Sequence, residues 1–123
     1  MQVYLFPLRA VRPVRTFFAF TLGAAVLFAS EHARAQQSAS VAISVKDHRF
    51  QPSQISAPAN RPISIKVKNL DATPMEFESV SLRVEKVIAP SSEGTVNVRA
   101  LPPGRYEFVD DFHQETRGTL IVQ

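Results

Sequence analysis

Short stretches in which apolar and polar residues alternate are the feature that most limits what this chain can fold into. Val41, Ile43 and Val45 alternate with small or polar residues, and the same pattern recurs at residues 63–67. A period of two places successive side chains on opposite faces of a β-strand, so each stretch predicts a half-buried strand. No helical run with a period of 3.6 residues and useful length occurs after residue 35.

Turn-forming residues separate these stretches. Clusters of Pro, Gly, Asn or Ser that predict turns lie at residues 58–60, 91–94 and 102–104. A less regular pattern that starts at Leu82 and continues to Ile88 predicts one further strand. The chain therefore predicts seven or eight short strands, arranged as an antiparallel sandwich or barrel.

The N-terminal region has the pattern of a secretory signal peptide. The basic residues that open it are Arg9, Arg12 and Arg15. An apolar run follows at residues 17–29, and Ala33 and Ala35 form a small-x-small cleavage signature. The run is shorter than the roughly 20 residues that a membrane-spanning helix needs. Export with cleavage after Ala35 is therefore predicted, and a retained membrane anchor is the alternative.

Cleavage there divides the chain into a signal peptide at residues 1–35, a flexible start at 36–40 and one small domain at 41–123. The whole chain has 14 Lys and Arg and 11 Asp and Glu; the signal peptide contains four Arg and one Glu, which leaves ten residues of each sign. The mature region is therefore neutral and has no basic, aromatic-studded stripe. No nucleic-acid partner is predicted.

The complete absence of cysteine excludes several kinds of site. Cys-based zinc sites, iron–sulfur clusters and thiolate copper sites cannot form. The possible soft or imidazole ligands after residue 35 are His48, His113 and Met75. The acidic residues that lie beside them in the chain are Asp47, Glu76, Glu78, Asp110, Asp111 and Glu115.

The last third of the chain resembles the C-terminal signature of the cupredoxins. Residues 104–113 read Gly-Arg-Tyr-Glu-Phe-Val-Asp-Asp-Phe-His, and a strand-like run follows from Gly118. Two upstream segments, similar to the Phe-x-Pro strand and the Asn…Pro-His segment of that family, lie at residues 50–52 and 69–75. The resemblance covers nearly all of the chain after residue 40 and implies an all-β, Greek-key β-sandwich.

The resemblance also assigns positions to a metal site. His113 corresponds to the second copper His of the family, whereas Asp110 stands where the thiolate Cys belongs. Met75 stands where the first His belongs, and Glu115 or Thr116 occupies the axial region. Without a thiolate there can be no blue type 1 copper site, so the chain is not expected to be a blue-copper electron carrier.

His48 offers partial compensation for the lost ligands. It lies two residues before Phe50, on the loop that flanks the metal end of a cupredoxin, where the family has an apolar residue. The resemblance therefore implies that His48 faces the same pocket as His113 and Met75.

The chain is similar to a narrower group, the cysteine-free cupredoxin-like proteins that accompany bacterial high-affinity iron permeases. The segments that carry this resemblance lie at residues 47–50, 71–79, 85–88 and 112–113. It implies a periplasmic protein that binds copper, helps to oxidise ferrous iron or passes it on, and works with an inner-membrane iron permease. Met75 departs from the Glu common in that group and favours a softer ion.

The implied donor set is mixed. Imidazole and thioether groups suit copper, whereas carboxylates suit harder ions such as ferric iron. Copper is therefore expected on the His and Met side, with Asp110 as a hard ligand or as an anchor behind one. The acidic side, at Glu76, Glu78 and Asp111, is expected to receive iron.

Two other functions stay open at this stage: a copper chaperone or storage protein without redox turnover, and a metal-free sandwich that binds a partner protein. Each candidate ligand also has an ordinary structural interpretation. His48 can be a surface residue, Met75 an apolar contact, and Asp110 a hydrogen-bond acceptor. Glu76 and Glu78 can form a solvated strand face. The sequence predicts no oligomeric state.

Overall fold

The computed structural model describes residues 37–123, and this part of the chain forms nine β-strands. The strands are β1 (Ala39–Lys46), β2 (Arg49–Gln51), β3 (Gln54–Ala57), β4 (Ile63–Asn69), β5 (Met75–Ser79), β6 (Val84–Ile88), β7 (Glu93–Val98), β8 (Gly104–Asp110) and β9 (His113–Val122). The predicted signal peptide at residues 1–35 lies outside the described residues. None of the described residues belongs to a helix that is long and apolar enough to span a membrane.

The strands form two sheets, which confirms the predicted all-β Greek-key sandwich with one correction. One sheet has the order β2-β1-β4-β7 and the other the order β3-β9-β8-β5-β6. The sheets are mixed rather than antiparallel throughout, because β1 pairs in parallel with β4 and β3 pairs in parallel with β9. Parallel neighbours need a crossover connection. The connection from β1 to β4 is such a crossover, because it passes through β3, which belongs to the second sheet.

The alternation seen in the sequence places the core between the sheets. In β4, Ile63, Ile65 and Val67 are buried while Lys66 and Lys68 are exposed. Inward-facing residues of both sheets join one apolar cluster. Burial of such side chains stabilises the fold by roughly 1.5–3 kcal/mol each, and no disulfide adds to it.

Three phenylalanines form the aromatic part of this core. Phe77 of β5 and Phe108 of β8 stack with ring centroids 4.9 Å apart, and Phe50 of β2 meets Phe108 edge-on at 4.9 Å. Such pairs contribute about 0.5–1.5 kcal/mol beyond their buried area. The three strands they join lead to the turns that carry the candidate ligands, so the aromatic cluster fixes the base of the site.

Several element boundaries differ from those predicted. β1 begins at Ala39, inside the stretch expected to be flexible, because the Ala39 N–H donates to the Pro62 carbonyl at 2.8 Å. Leu82 lies in a turn rather than a strand, since the hydroxyl of Ser79 accepts the Leu82 N–H at 3.2 Å. The turn predicted at residues 91–94 is shorter, because β7 already includes Gly94.

Gly118 on β9 lies so close to the Phe108 ring that an added Cβ would overlap ring atoms. We expect Gly118→Ala to lower the free energy of unfolding by about 1–3 kcal/mol, the usual cost of overpacking, as measured by urea denaturation. Gly104→Ala is the matched control, because its Cβ would lie 3.4 Å from the nearest atom of Tyr106, an ordinary contact. Equal losses in both variants would contradict the packing explanation.

Candidate metal site

A two-residue turn, Asp47–His48, joins β1 to β2. The strands pair up to Lys46 and Arg49 on either side of it. Asp47 and His48 have φ values of 51° and 55°, so both lie in the left-handed region, as in the primed turns that match the twist of a hairpin. Asn-Gly is the usual sequence for such turns. The Asp-His pair here therefore depends on support from outside the hairpin.

Asp71, in the loop between β4 and β5, provides that support. Its two carboxylate oxygens accept the N–H of Asp47 at 2.7 Å and the N–H of His48 at 3.0 Å. The bond from His48 holds the pKa of Asp71 below its usual value; burial opposes this shift and the bond from Asp47 adds to it. Asp71 is therefore held as a carboxylate directly under the turn.

A second two-residue turn, Asp111–Phe112, joins β8 to β9, and the other histidine, His113, is the first residue of β9. Asp110 and His113 face each other across it, with a register irregularity between Val109 and Asp110. The Asp110 side chain is fully buried. One of its oxygens accepts the N–H groups of Glu76 at 2.9 Å and Phe112 at 3.1 Å. The other lies 2.8 Å from Nδ1 of His113.

The two turns meet, and their histidines stack. The ring centroids of His48 and His113 are 3.9 Å apart with an interplanar angle of 29°. One ligand atom from each of His48, Asp110 and His113 lies within 4.8 Å of the others. Thr116 of β9 donates its hydroxyl hydrogen to the His48 carbonyl, which holds the first turn against β9.

The contacts of the imidazoles indicate which atoms face an ion. Because Asp110 occupies Nδ1 of His113, Nε2 is the ring nitrogen that stays available to an ion. An imidazole lone pair lies in the plane of its ring, so a shared ion requires one ring to turn out of the stack. His48 is the freer ring, with 44% of its side chain exposed against 26% for His113.

The other predicted ligands are one methionine in the core and three glutamates outside this cluster. Met75 is buried on the core face of β5 and packs in the apolar core, so its role as a soft ligand stays a prediction. Glu76 and Glu78 alternate with the buried residues and lie on the opposite face of β5. Glu115 is exposed on β9. In the described residues, the metal-capable cluster of His and acidic side chains contains none of these three glutamates.

The outer face of β5 instead forms an acidic patch of four carboxyl groups. Its members are Glu76, Glu78, Glu85 and Asp111. A hydrogen bond with Glu85 raises the pKa of Glu76, together with some burial and the neighbouring negative charges. A hydrogen bond with Asp111 does the same for Glu78. The patch adjoins the candidate metal cluster, since the Glu76 N–H donates to the Asp110 carboxylate at 2.9 Å.

Two supporting residues of the site were not singled out as site residues in the sequence. Asp71 is 23 residues from His48, and it appeared only as part of a segment that carries a resemblance. Glu85 joins the patch because it lies opposite Glu78 across the β5–β6 pair. No pattern of neighbouring residues in the sequence predicts either contact. For Asp71, the one indication is the unusual Asp-His turn, which requires a hydrogen-bond acceptor from outside the hairpin.

The comparisons with known proteins agree with this architecture. The family description "Cupredoxin-like domain" matches residues 19–122. The chain belongs to the cupredoxin-like domain family. This cupredoxin-like chain is also 40% identical over 83 residues to an uncharacterized protein of Rickettsia prowazekii (strain Madrid E). That match covers 67% of this chain and 66% of the relative, so the chain spans just under two thirds of the relative's length.

Solved cupredoxin-like structures resemble this domain in fold at low sequence identity. The metal-binding domain of the Streptococcus pneumoniae D39 Cu(I) exporting P-type ATPase CopA, with Cu(I), gives a TM-score of 0.62 at 16% identity, covering 68% of this chain and 84% of that one. Reduced auracyanin from Roseiflexus castenholzii gives 0.57 at 15%, covering 70% and 98%. Amicyanin from Paracoccus versutus gives 0.54 at 12%, covering 68% and 81%.

Asp110 can be tested as the anchor of the second turn. Asp110→Ala would leave the partly buried N–H groups of Glu76 and Phe112 without their acceptor, so we expect a loss of about 2 kcal/mol in the free energy of unfolding. Asp111→Ala is the matched control, because that carboxyl group lies in the acidic patch. It should be neutral or stabilising in the same urea titrations. A larger loss in Asp111→Ala would contradict the assignment.

The acidic patch predicts a pH dependence. The folded-state pKa values of Glu76 and Glu78 lie above the ordinary value of 4.5, so the folded protein binds these protons more tightly than the unfolded chain. Stability should therefore fall as pH rises from about 4.5 through the raised pKa values. Glu85→Gln should reduce that fall in melting temperature, whereas Glu107→Gln, outside the patch, should not. Identical profiles of melting temperature against pH for the wild type, Glu85→Gln and Glu107→Gln would contradict repulsion among the carboxylates of the patch.

Proposed function

We propose that this chain is a periplasmic copper-binding protein of an iron-uptake system, and that it assists the oxidation or transfer of ferrous iron to an inner-membrane permease. The observation that carries the copper assignment is the convergence of His48, Asp110 and His113 within 4.8 Å at the meeting of two turns. The iron assignment is supported by the sequence resemblance and by the acidic patch beside that cluster.

The donor set fits copper, although not the blue type. Two imidazoles suit copper, as they also suit zinc, and the chain has no cysteine to supply a thiolate. His113 has its second ring nitrogen held by a buried carboxylate, which is the usual support for a metal-binding imidazole. Asp110 thus fits the role of an anchor, since both of its oxygens already have partners.

Copper in this position would supply one-electron chemistry between Cu(II) and Cu(I). His48 and His113 would hold it, and Asp110 would keep His113 oriented. The acidic patch would offer oxygen ligands to incoming iron, since carboxylates suit hard cations. Glu76 joins the two regions, because its N–H donates to Asp110 and its carbonyl accepts from Asp111.

Copper binding is tested by anaerobic Cu(I) titration of the purified protein against a chromophoric competitor. We expect stoichiometric binding, and a loss of at least about 100-fold in affinity for His113→Ala, since losing a ligand costs more than losing the 10–100-fold contribution of its support. Gln114→Ala, one residue away, is the matched control and should bind like the wild type. Equal affinity in His113→Ala and the wild type would contradict the assignment.

Ferrous iron oxidation is tested by adding Fe(II) under oxygen to the copper-loaded protein. Fe(II) should disappear faster than with the same concentration of free copper, and Glu78→Gln combined with Asp111→Asn should slow it without changing copper affinity. No acceleration over free copper would contradict the oxidase function. It would favour the alternative of a chaperone or storage protein, to which the fold similarity with a Cu(I) exporter's metal-binding domain also lends support.

Absence of stoichiometric metal would favour the third function, a partner-binding sandwich. Elemental analysis of the protein purified without an affinity tag measures this directly. We expect about one copper per chain after loading, and retention of that copper through gel filtration. Loss of all metal on the column would contradict both copper-dependent functions.

A further inference from the structure

We propose that Asp71 is a positioning residue for His48: it holds the turn that carries this histidine and sets the tautomer of the ring, so that Nε2 keeps the lone pair for the metal. The inference rests on the proposed copper function and extends it to the atoms of the site. Asp71 is not one of the metal-capable cluster. It acts from the loop between β4 and β5, behind the ring.

The backbone contacts are the first step. Asp47 and His48 both have positive φ values, which turns their consecutive N–H groups toward the same side of the hairpin. Each oxygen of Asp71 accepts one of them, at 2.7 Å and 3.0 Å. A neutral amide side chain has one acceptor oxygen and no negative charge, so it cannot replace a carboxylate that accepts one N–H on each of its two oxygens. The position of His48 thus depends on a carboxylate at residue 71.

The ring contact is the second step. Nδ1 of His48 lies 3.6 Å from the nearer Asp71 oxygen, which is beyond a hydrogen bond but close enough for the carboxylate charge to favour a proton on that nitrogen. A lone pair on Nδ1 would face the negative carboxylate, whereas a proton there is attracted to it. The neutral ring therefore carries its proton on Nδ1, and Nε2 keeps the lone pair for the ion. Asp110 contacts the same nitrogen of His113 at hydrogen-bond distance, 2.8 Å.

The rigidity of Asp71 is the third step. Its side chain is only 13% exposed. Its own N–H donates to the side-chain oxygen of Asn69 at 3.1 Å. The Asn69 amide nitrogen is in turn held by the carbonyls of Thr73, Ile88 and Ala89. The carboxylate is thus mounted on a buried network, while Thr116 holds the His48 carbonyl from the other side.

If Asp71 were purely structural, it would stabilise the turn without deciding which ring nitrogen of His48 carries the proton. The tautomer of His48 therefore distinguishes a structural role from a positioning role. The first measurement is ¹⁵N NMR of the imidazole rings in the metal-free wild type at alkaline pH, where a free imidazole is neutral. We expect His48 to be mainly the Nδ1–H tautomer, as we do His113. A mainly Nε2–H tautomer at His48 would overturn the proposal without any variant.

The second measurement compares Asp71→Asn with Asp47→Asn. Both variants remove one negative charge near His48, but Asp47 contributes only its backbone N–H to the contact. Asp71→Asn should shift the His48 tautomer toward Nε2–H, leave His113 unchanged, and weaken Cu(I) binding by about 10-fold or more. Asp47→Asn should leave both tautomers unchanged and alter affinity by less than about 2-fold. An unchanged tautomer and affinity in folded Asp71→Asn would overturn the proposal.

The copper function and the positioning role of Asp71 can be contradicted independently of each other. If the wild type binds no copper, the proposed function is wrong, and the His48 tautomer still decides whether Asp71 positions the ring. If the wild type binds copper but its His48 is the Nε2–H tautomer, the positioning role is wrong and the copper function stands. If Asp71→Asn does not fold, the tautomer of the wild type alone decides.

Discussion

The candidate metal site depends on the hydrogen bonds that the buried carboxylate of Asp110 accepts. A carboxylate with no exposed surface is costly unless its oxygens are satisfied. Here the backbone of β5, the β8–β9 turn and the His113 ring all meet it. The residue therefore joins two strands and orients a histidine. The sequence resemblance aligns Asp110 with the thiolate position of cupredoxins, and in this chain its carboxylate contacts Nδ1 of His113 instead.

The same device occurs twice, at different strengths. Asp110 lies close behind His113, and Asp71 lies further behind the more exposed His48. Asp71 accepts both N–H groups of the first turn, and Asp110 accepts one N–H of the second turn, that of Phe112. The difference in exposure suits a site in which one ring is fixed and the other turns to meet an ion.

Much of the fold follows from the sequence because alternation is local. The alternation of Ile63, Ile65 and Val67 with polar residues predicts a half-buried strand, and the structure confirms this strand as β4. The same alternation separates Met75 from Glu76, which adjoin in the chain but point to opposite faces of β5. The contacts of Asp71 and Thr116 with His48 cross 23 and 68 residues. They depend on how β4 and β9 pack against the first hairpin, and no local pattern encodes that packing.

Shared coordination by His48 and His113 is tested most directly by pulsed electron paramagnetic resonance of the Cu(II)-loaded protein. This measurement detects the remote nitrogen of each coordinated imidazole. Two coordinated imidazoles are predicted in the wild type and one in His48→Ala. A single imidazole in the wild type, or a spectrum unchanged by His48→Ala, would contradict the shared site.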